Sequence, residues 1–353
     1  MIRINANIRQ IRYTPTLCSK LETYHVNNLS KALSTGSCFL RMDNNNVFSM
    51  SRWVSPKRTR TYPYVRVYDT LSFSGKRVTV IPVFKDEGLN GDRDFLQWDT
   101  VSLMSLLGVY VIIGYYIDAE YNYGYEYGLK ITNQQFDISY IERKLRELLS
   151  YQSDALHWNL KQLENIGEIG KIAINAYNRI SDSLGIPMHS FRSADRKLTI
   201  LRQQSEIFKQ ASRRSATLAQ NRDSQMVNPY EQISGHKGTI TIINYLGGEY
   251  HLSADEIWVL NSNTVRIVEA KHTTDTNKVL PSINDIKDAL VKMILYTNLE
   301  EITIEGQHYN HESVIKLTSV NNFNIDLLNT NTRNFYNQLC QEAQINGFKI
   351  IHS

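Results

Sequence analysis

The sequence predicts an α/β (α+β) chain: a central mixed sheet flanked by helices, with a helix-rich middle segment. Three observations lead there. Residues 76–116 read strand, helix, strand, an order that builds an α/β layer. Apolar residues then recur at helical spacing from Ile138 to Leu184. After Pro229 the period shortens to two, giving three consecutive strands, a helix and two further strands.

The elements follow in order. The first 70 residues mix polar turns with short apolar segments and read only as strand-rich. "KRVTVIPVF" is rich in β-branched residues and reads as a strand, followed by the acidic turn-forming loop "KDEGLNGDRD". "FLQWDTVSLMSLLG" has helical spacing through Leu96, Val101, Met104 and Leu107, with Gly108 as its C-terminal cap. "VYVIIGYY" is a second, fully buried strand. Asp137 reads as the N-cap of a long helical region that Gly185 and Pro187 close. The basic segment Arg192–Arg222 extends the helical stretch. Beyond Pro229, "GTITIINYLGG", "EYHLSADEIWVLN" and "TVRIVEAKHT" are strands joined by Gly-Gly and by Asn-Ser-Asn. A helix starts at Ser282, where Ser282 and Asp285 fit a capping box and Ile283, Ile286, Leu290, Met293 and Ile294 make one apolar face. "EEITIEG" and "HESVIKLTSV" return to strand. The expected segments are therefore 1–136, strand-rich with α/β character and a candidate DNA-contacting region; 137–227, helical with a basic stretch; and 228–353.

Hydrophobic residues at 42% and charged residues at 21% of 353 are those of a globular chain and exclude general disorder. No apolar run approaches the roughly 18 to 20 residues that span a bilayer, and the polar N-terminus lacks the apolar core of a signal peptide. Cys18, Cys38 and Cys340 show no paired spacing, so neither a zinc site nor a disulfide framework is expected. The expectation is a reduced, cytoplasmic protein with no membrane partner.

The net charge is +4, and its distribution says more than its size. Residues 192–222 hold eight Lys or Arg against two acids, and residues 52–66 hold five and none. Either cluster alone reads as a solvated surface; together they favour a polyanionic partner. Arg52, Lys57, Arg58 and Arg60 of the first, and Arg196, Lys197, Arg202, Lys209, Arg213 and Arg214 of the second, are the candidate DNA-binding residues. Six tyrosines crowd residues 115–127, where packing is the first reading and base stacking the second.

The chemistry concentrates in "SADEIWVLNSNTVRIVEAKH", residues 253–272. Asp/Glu-x-Lys occurs four times in the chain, ending at Lys144, Lys197, Lys271 and Lys287. Three copies lie in or beside predicted helices, where residues two apart point about 200° apart. In a strand, residues two apart share a face, so only Glu269 and Lys271 can serve one site. Asp255 lies seven residues before Ser262 and Glu269 seven after it, so a hairpin brings the two acids to one end. Two carboxylates, with the Ala270 carbonyl between them, supply the oxygen ligands that Mg²⁺ prefers. Lys271 is placed to orient or deprotonate a water and to stabilise charge on a phosphate. The bland alternative is a solvated hairpin end in which Lys271 neutralises Asp255, Glu256 and Glu269.

This stretch, with "SINDIKDALVKMIL" after it, resembles the core of the PD-(D/E)xK nuclease superfamily, and type II restriction endonucleases in particular. On that resemblance Asp255 takes the first acid, with Ala254 where the family often has Pro, Glu269 the second acid and Lys271 the lysine. Ile283–Leu299 would be the helix beside the motif, and Glu231 the candidate for an additional upstream acid. The resemblance covers roughly residues 228–320 and implies a restriction-endonuclease-like core in the C-terminal part. It also implies a Mg²⁺-dependent endonuclease acting on double-stranded DNA, a homodimer on a palindromic target, and a cognate methyltransferase. A repair, recombination or transposition nuclease of the same superfamily is the enzymatic alternative, and a non-catalytic DNA-binding protein the other. A competing acidic loop, with Asp86, Glu87, Asp92, Asp94 and Asp99, lacks a strand-borne lysine and ranks second as a site. His272 would point to the strand face opposite Lys271 and takes no role.

Overall fold

The computed structural model describes residues 2–124, 129–203, 236–244, 249–276, 278–320 and 323–352. The chain forms two units, one from residues 1–20 and 213–353 and the other from residues 21–212. This division differs from the three expected segments. The helical stretch after 137 joins the region before it, and the first twenty residues join the C-terminal part. Strand pairing is the reason, because β1 (Ile2–Ile8) runs parallel to a strand that starts at His236.

The second unit follows β1 in the chain. Its first elements are β2 (Thr23–His25), α1 (Leu29–Ser34), β3 (Ser37–Arg41), β4 (Val47–Arg52) and α2 (Pro63–Tyr68). The expected strand from Lys76 is two strands, β5 (Arg77–Pro82) and β6 (Phe84–Asp86), the latter turning back on β7 (Arg93–Phe95). Pro82 has no N–H to donate and closes β5. The expected helix is α3 (Trp98–Leu106), ended by Gly108 at φ +65°. The next strand also splits, into β8 (Val109–Gly114) and β9 (Tyr116–Tyr121), and β9 pairs with β10 (Ile131–Phe136). A five-stranded sheet runs β2-β3-β4-β5-β8, antiparallel only between β3 and β4.

The long helical region is broken into α4 (Ile138–Leu149), α5 (Ala155–Glu164) and α6 (Ile166–Leu184), with α7 (Phe191–Gln203) after it. Asp137 accepts from the Tyr140 N–H and caps α4 as expected, and Gly185 ends α6 at φ +65°. A second cap, Asp154 accepting from the His157 N–H, restarts the helix inside the periodic run. Helix α5 also closes the open edge of β8. Asn159 accepts from the Val111 N–H at 2.7 Å and donates to the Val109 carbonyl, and the Trp158 indole donates to the Val111 carbonyl at 2.7 Å.

The first unit resumes with β11 (His236–Asn244), β12 (Glu249–Asn261), β13 (Thr264–Thr273) and α8 (Ile283–Tyr296). It ends with β14 (Glu300–Ile304), β15 (Gln307–His308), β16 (Asn310–Ser319), α9 (Thr330–Asn346) and β17 (Lys349–His352). Its eight-stranded mixed sheet has the order β15-β14-β1-β11-β12-β13-β16-β17. Ile4, Ala6 and Ile8 of β1 are buried, and Arg3, Asn5 and Asn7 alternate with them. Helix α8 packs on β13 and β16, burying Ile286, Leu290, Met293 and Ile294. Ile283, expected on that face, is exposed at the first helical position. Ser282 accepts from the Asp285 N–H at 3.1 Å, the expected cap. Ser282→Ala is expected to lower stability by about 1 kcal/mol in a denaturant titration.

Helix α9 holds the N-terminal segment in place through one buried carboxylate. Glu342 is fully buried and accepts from the Tyr13 hydroxyl at 2.8 Å, the Thr16 N–H and hydroxyl at 2.7 and 2.8 Å, and the Leu17 N–H at 3.0 Å. Burial, and then the Glu342 charge, push the Tyr13 hydroxyl well above its ordinary pKa. Among the described residues, no helix is long and apolar enough to cross a membrane. Cys18, Cys38 and Cys340 form no disulfide with one another.

Candidate active site

Strands β12 and β13 form a hairpin in the expected register, with Val259 opposite Val265, Ile257 opposite Ile267 and Glu256 opposite Val268. One step further, Asp255 stands opposite Glu269, and the backbone ladder between the strands gives way. Here β13 goes on beside β16 as far as Thr273, while β12 goes on beside β11. In place of a ladder bond, the Asp255 carboxylate accepts the Ala270 N–H at 2.8 Å. The N–H and C=O of one strand residue leave by the same edge, so the Ala270 carbonyl is directed to the Asp255 side.

The strand alternation then sorts the charges onto two faces. Asp255, Glu269 and Lys271 share one. Glu256 and Lys316 lie on the other, where they form a buried pair at 2.8 Å, and Trp258 donates to Glu256 at 2.9 Å. Glu269 is 1% exposed and Glu256 3%, so neither is the solvated hairpin end of the bland alternative. His272 bonds Thr318 at 2.7 Å, away from Lys271.

Helix α8 contributes two residues that the sequence reading did not select. Asp288 and Lys292, four positions apart, fall on one helical face. Glu269 is held between two ammonium groups, with Lys271 at 3.1 Å from Oε1 and Lys292 at 2.6 Å from Oε2. Lys271 also donates to Asp288 at 2.8 Å, and Lys292 to the Ser253 carbonyl at 3.4 Å. The signal for these residues was present as an acid and a base four positions apart on a helix that also carries Asp285 and Lys287. It pointed nowhere until the helix was placed over β13.

Electrostatics separates the two acids. Burial pushes Asp255 up, Glu269 adds to this, and its pKa reaches about 7. Burial also acts upward on Glu269, but Lys292 and Lys271 outweigh it and hold that carboxyl below its ordinary value. Burial would lower Lys271, yet Glu269 and Asp288 hold it well above the ordinary lysine range. Lys271 is therefore a cation at working pH. This removes the water-deprotonating option for the group in this state and leaves orientation and charge stabilisation.

Two carboxylates on one face offer oxygen ligands to a hard divalent ion, whose charge would favour the ionised form of Asp255. Two side-chain ligands, Asp255 and Glu269, and the Ala270 carbonyl fit Mg²⁺, which keeps several waters and substrate oxygens in its shell. Among the described residues no group of three or more His, Cys, Asp or Glu side chains is placed to hold a metal ion.

In the metal-free protein, folded Asp255 binds its proton more tightly than the unfolded chain does. Its contribution to stability is full below about pH 4 and is lost as pH rises through about 7. Asp255→Asn keeps an acceptor for Ala270 and has no charge to bury. It is expected to be more stable than wild type by about 4 kcal/mol at pH 8, an advantage that shrinks to near zero by about pH 4. Chemical denaturation in EDTA across that range reads it.

The other candidates are placed as follows. Glu231, Lys209, Arg213 and Arg214 lie outside the described residues, as does the side chain of Arg202. Arg196 and Lys197 are exposed on α7, with Lys197 4.6 Å over the Phe95 ring. Lys57 is exposed and Arg52 half-buried. Arg58 pairs with Asp99 at 3.5 Å, and Arg60 reaches Glu87 at 3.3 Å, Asp94 at 3.1 Å and also Asp92. Arg58 and Arg60 thus pair with four carboxylates of the competing acidic loop. Asp86 is buried against His189 at 2.8 Å. Of the six tyrosines, Tyr115 and Tyr116 are buried against Tyr140 and Phe136, as the packing reading has it, whereas Tyr123 is exposed and Tyr125 and Tyr127 lie outside the described residues.

Comparison of the chain with protein-family models, curated proteins and solved structures finds no match.

Proposed function

We propose that the first unit is a Mg²⁺-dependent endonuclease of the PD-(D/E)xK type, cutting double-stranded DNA at a specific site as type II restriction enzymes do. One observation carries the reading: Asp255, Glu269 and Lys271 meet on one face where β12 and β13 part. The mixed sheet, with α8 packed over β13, supports a restriction-endonuclease-like core.

Asp255, Glu269 and the Ala270 carbonyl would hold Mg²⁺, which supplies Lewis-acid polarisation of the phosphate and an acidified water. The protein's own groups do the rest. Asp255 must be ionised to bind a cation, so its proton leaves as pH rises through about 7. Lys271, fixed by Asp288, places a positive charge beside Glu269 where negative charge develops on a phosphate. Lys292 holds the second Glu269 oxygen and so fixes that carboxylate's orientation. A palindromic target would call for two copies of this site, hence a homodimer, and a host carrying the target would need a cognate methyltransferase.

The test is incubation of supercoiled plasmid with the protein in Mg²⁺ and in EDTA. Discrete fragments in Mg²⁺ alone are expected. A smear would move the reading to a nonspecific nuclease of the same type, and DNA retention without cutting to a binding protein.

A further inference from the structure

We propose that Arg52 and Arg66, in the second unit, form a binding site for a phosphate group. Arg52 ends β4, and its N–H donates to the Gly36 carbonyl at 2.8 Å. Arg66, in the last turn of α2, donates through Nη1 to the Arg52 carbonyl at 2.9 Å. Its guanidinium lies over Gly36, where a Cβ would come within 3.1 Å of Nε. Gly36 adopts φ +89°, open to glycine at little cost, so the backbone there both takes this turn and leaves room for the guanidinium.

The two arginines differ from their neighbours in what neutralises them. Arg58 and Arg60, in the same basic cluster, are paired with carboxylates. Arg52 and Arg66 are both half-buried, and neither has a carboxylate partner among the described residues. Arg52 Nε is buried with no hydrogen-bond partner. Burial, and then the Arg52 charge, hold Arg66 below the ordinary arginine range. Two like charges partly withdrawn from water are costly unless an anion joins them. Arg66 Nε and Nη2 and the Arg52 Nη groups remain to donate, from two separate guanidinium groups. One planar carboxylate is served by a single fork, whereas donors from two planes suit the several oxygens of a phosphate. The proposal does not depend on the chemistry of the first unit. The phosphate could come from a DNA backbone or from a free phosphorylated compound, since both present the same oxygens.

The test uses the full chain and inorganic phosphate as probe. Calorimetric titration and melting are measured with phosphate against sodium chloride of equal ionic strength, for wild type, Arg52→Gln and Arg66→Gln. Phosphate-specific binding in wild type, weakened tenfold or more in each variant, is expected. The dependence of duplex-DNA affinity on salt is then measured for both variants. A slope of log affinity against log salt reduced by about 1 assigns the site to a backbone phosphate, and an unchanged slope to a free compound. The proposal is overturned if wild type shows neither phosphate-specific binding nor stabilisation and the slopes are equal. Equal phosphate binding by wild type and variants overturns it too. If the glutamine variants fail to fold, Arg52→Lys and Arg66→Lys keep the charge, and retained folding with weakened phosphate binding is then the expected result.

Discussion

Lys271→Ala is expected to lower Mg²⁺-dependent plasmid cleavage about a thousandfold while leaving the melting temperature close to wild type. The two expectations belong together. Lys271 bridges two carboxylates, at 3.1 Å from Glu269 and 2.8 Å from Asp288. Removing it takes a fixed charge from the place where a phosphate would gain negative charge. Glu269 keeps its second partner, Lys292, so the buried carboxylate is not left alone. Glu269→Ala would also abolish cutting, but it leaves Lys271 and Lys292 facing each other and is expected to cost about 3 kcal/mol, so its loss of activity is harder to interpret. Lys292→Ala should fall between the two, because it frees one Glu269 oxygen and leaves the Lys271 charge in place. Single-turnover cleavage and melting curves on the same preparations separate these cases. Undiminished cutting by Lys271→Ala would sink the assignment.

Glu342→Ala is expected to destabilise the first unit by about 3 kcal/mol, more than a hundredfold in its folding equilibrium. Four donors from Tyr13, Thr16 and Leu17 converge on this one buried carboxylate. Alanine would leave two backbone N–H groups and two hydroxyls without it, and the segment that follows β1 would lose its attachment to α9. Glu342→Gln, which retains one acceptor oxygen, should recover part of the loss. Urea denaturation followed by the first unit's signal would measure both. A change below about 0.5 kcal/mol for the alanine variant would show that the segment is held by other contacts.

The hairpin at the site was legible because its signals are local. A period-two pattern, a polar break and acids equidistant from the turn set the register, and β12 and β13 follow it. The caps at Asp137 and Ser282 were legible for the same reason, as each acts within three residues. What escaped depends on contacts far apart in the chain. Lys292 and Asp288 became site residues only when α8 was laid across β13. The pairing of Arg58 and Arg60 with the acidic loop joins residues some 27 to 41 positions apart, which no local pattern shows. The C-terminal α9 and β17 carry mixed polar sequence with weak periodicity, so their existence rests on packing against β16 and on Gly347 at φ +72° rather than on pattern. The place of β1 beside β11 is a parallel pairing across more than two hundred residues, which no local rule predicts.

That pairing has a consequence for the order of synthesis. Ile2–Ile8 leaves the ribosome before either of its partners, since β11 and β14 come only after the whole second unit has been made. At ordinary translation speeds the strand waits roughly 10 to 45 s with both edges open. The inserted unit can meanwhile complete its own five-stranded sheet, which needs nothing from β1. Arg3, Asn5 and Asn7, alternating with Ile4, Ala6 and Ile8, keep the waiting strand from presenting two apolar faces, so the same residues that face away from the core in the finished sheet guard it against aggregation while it is being built.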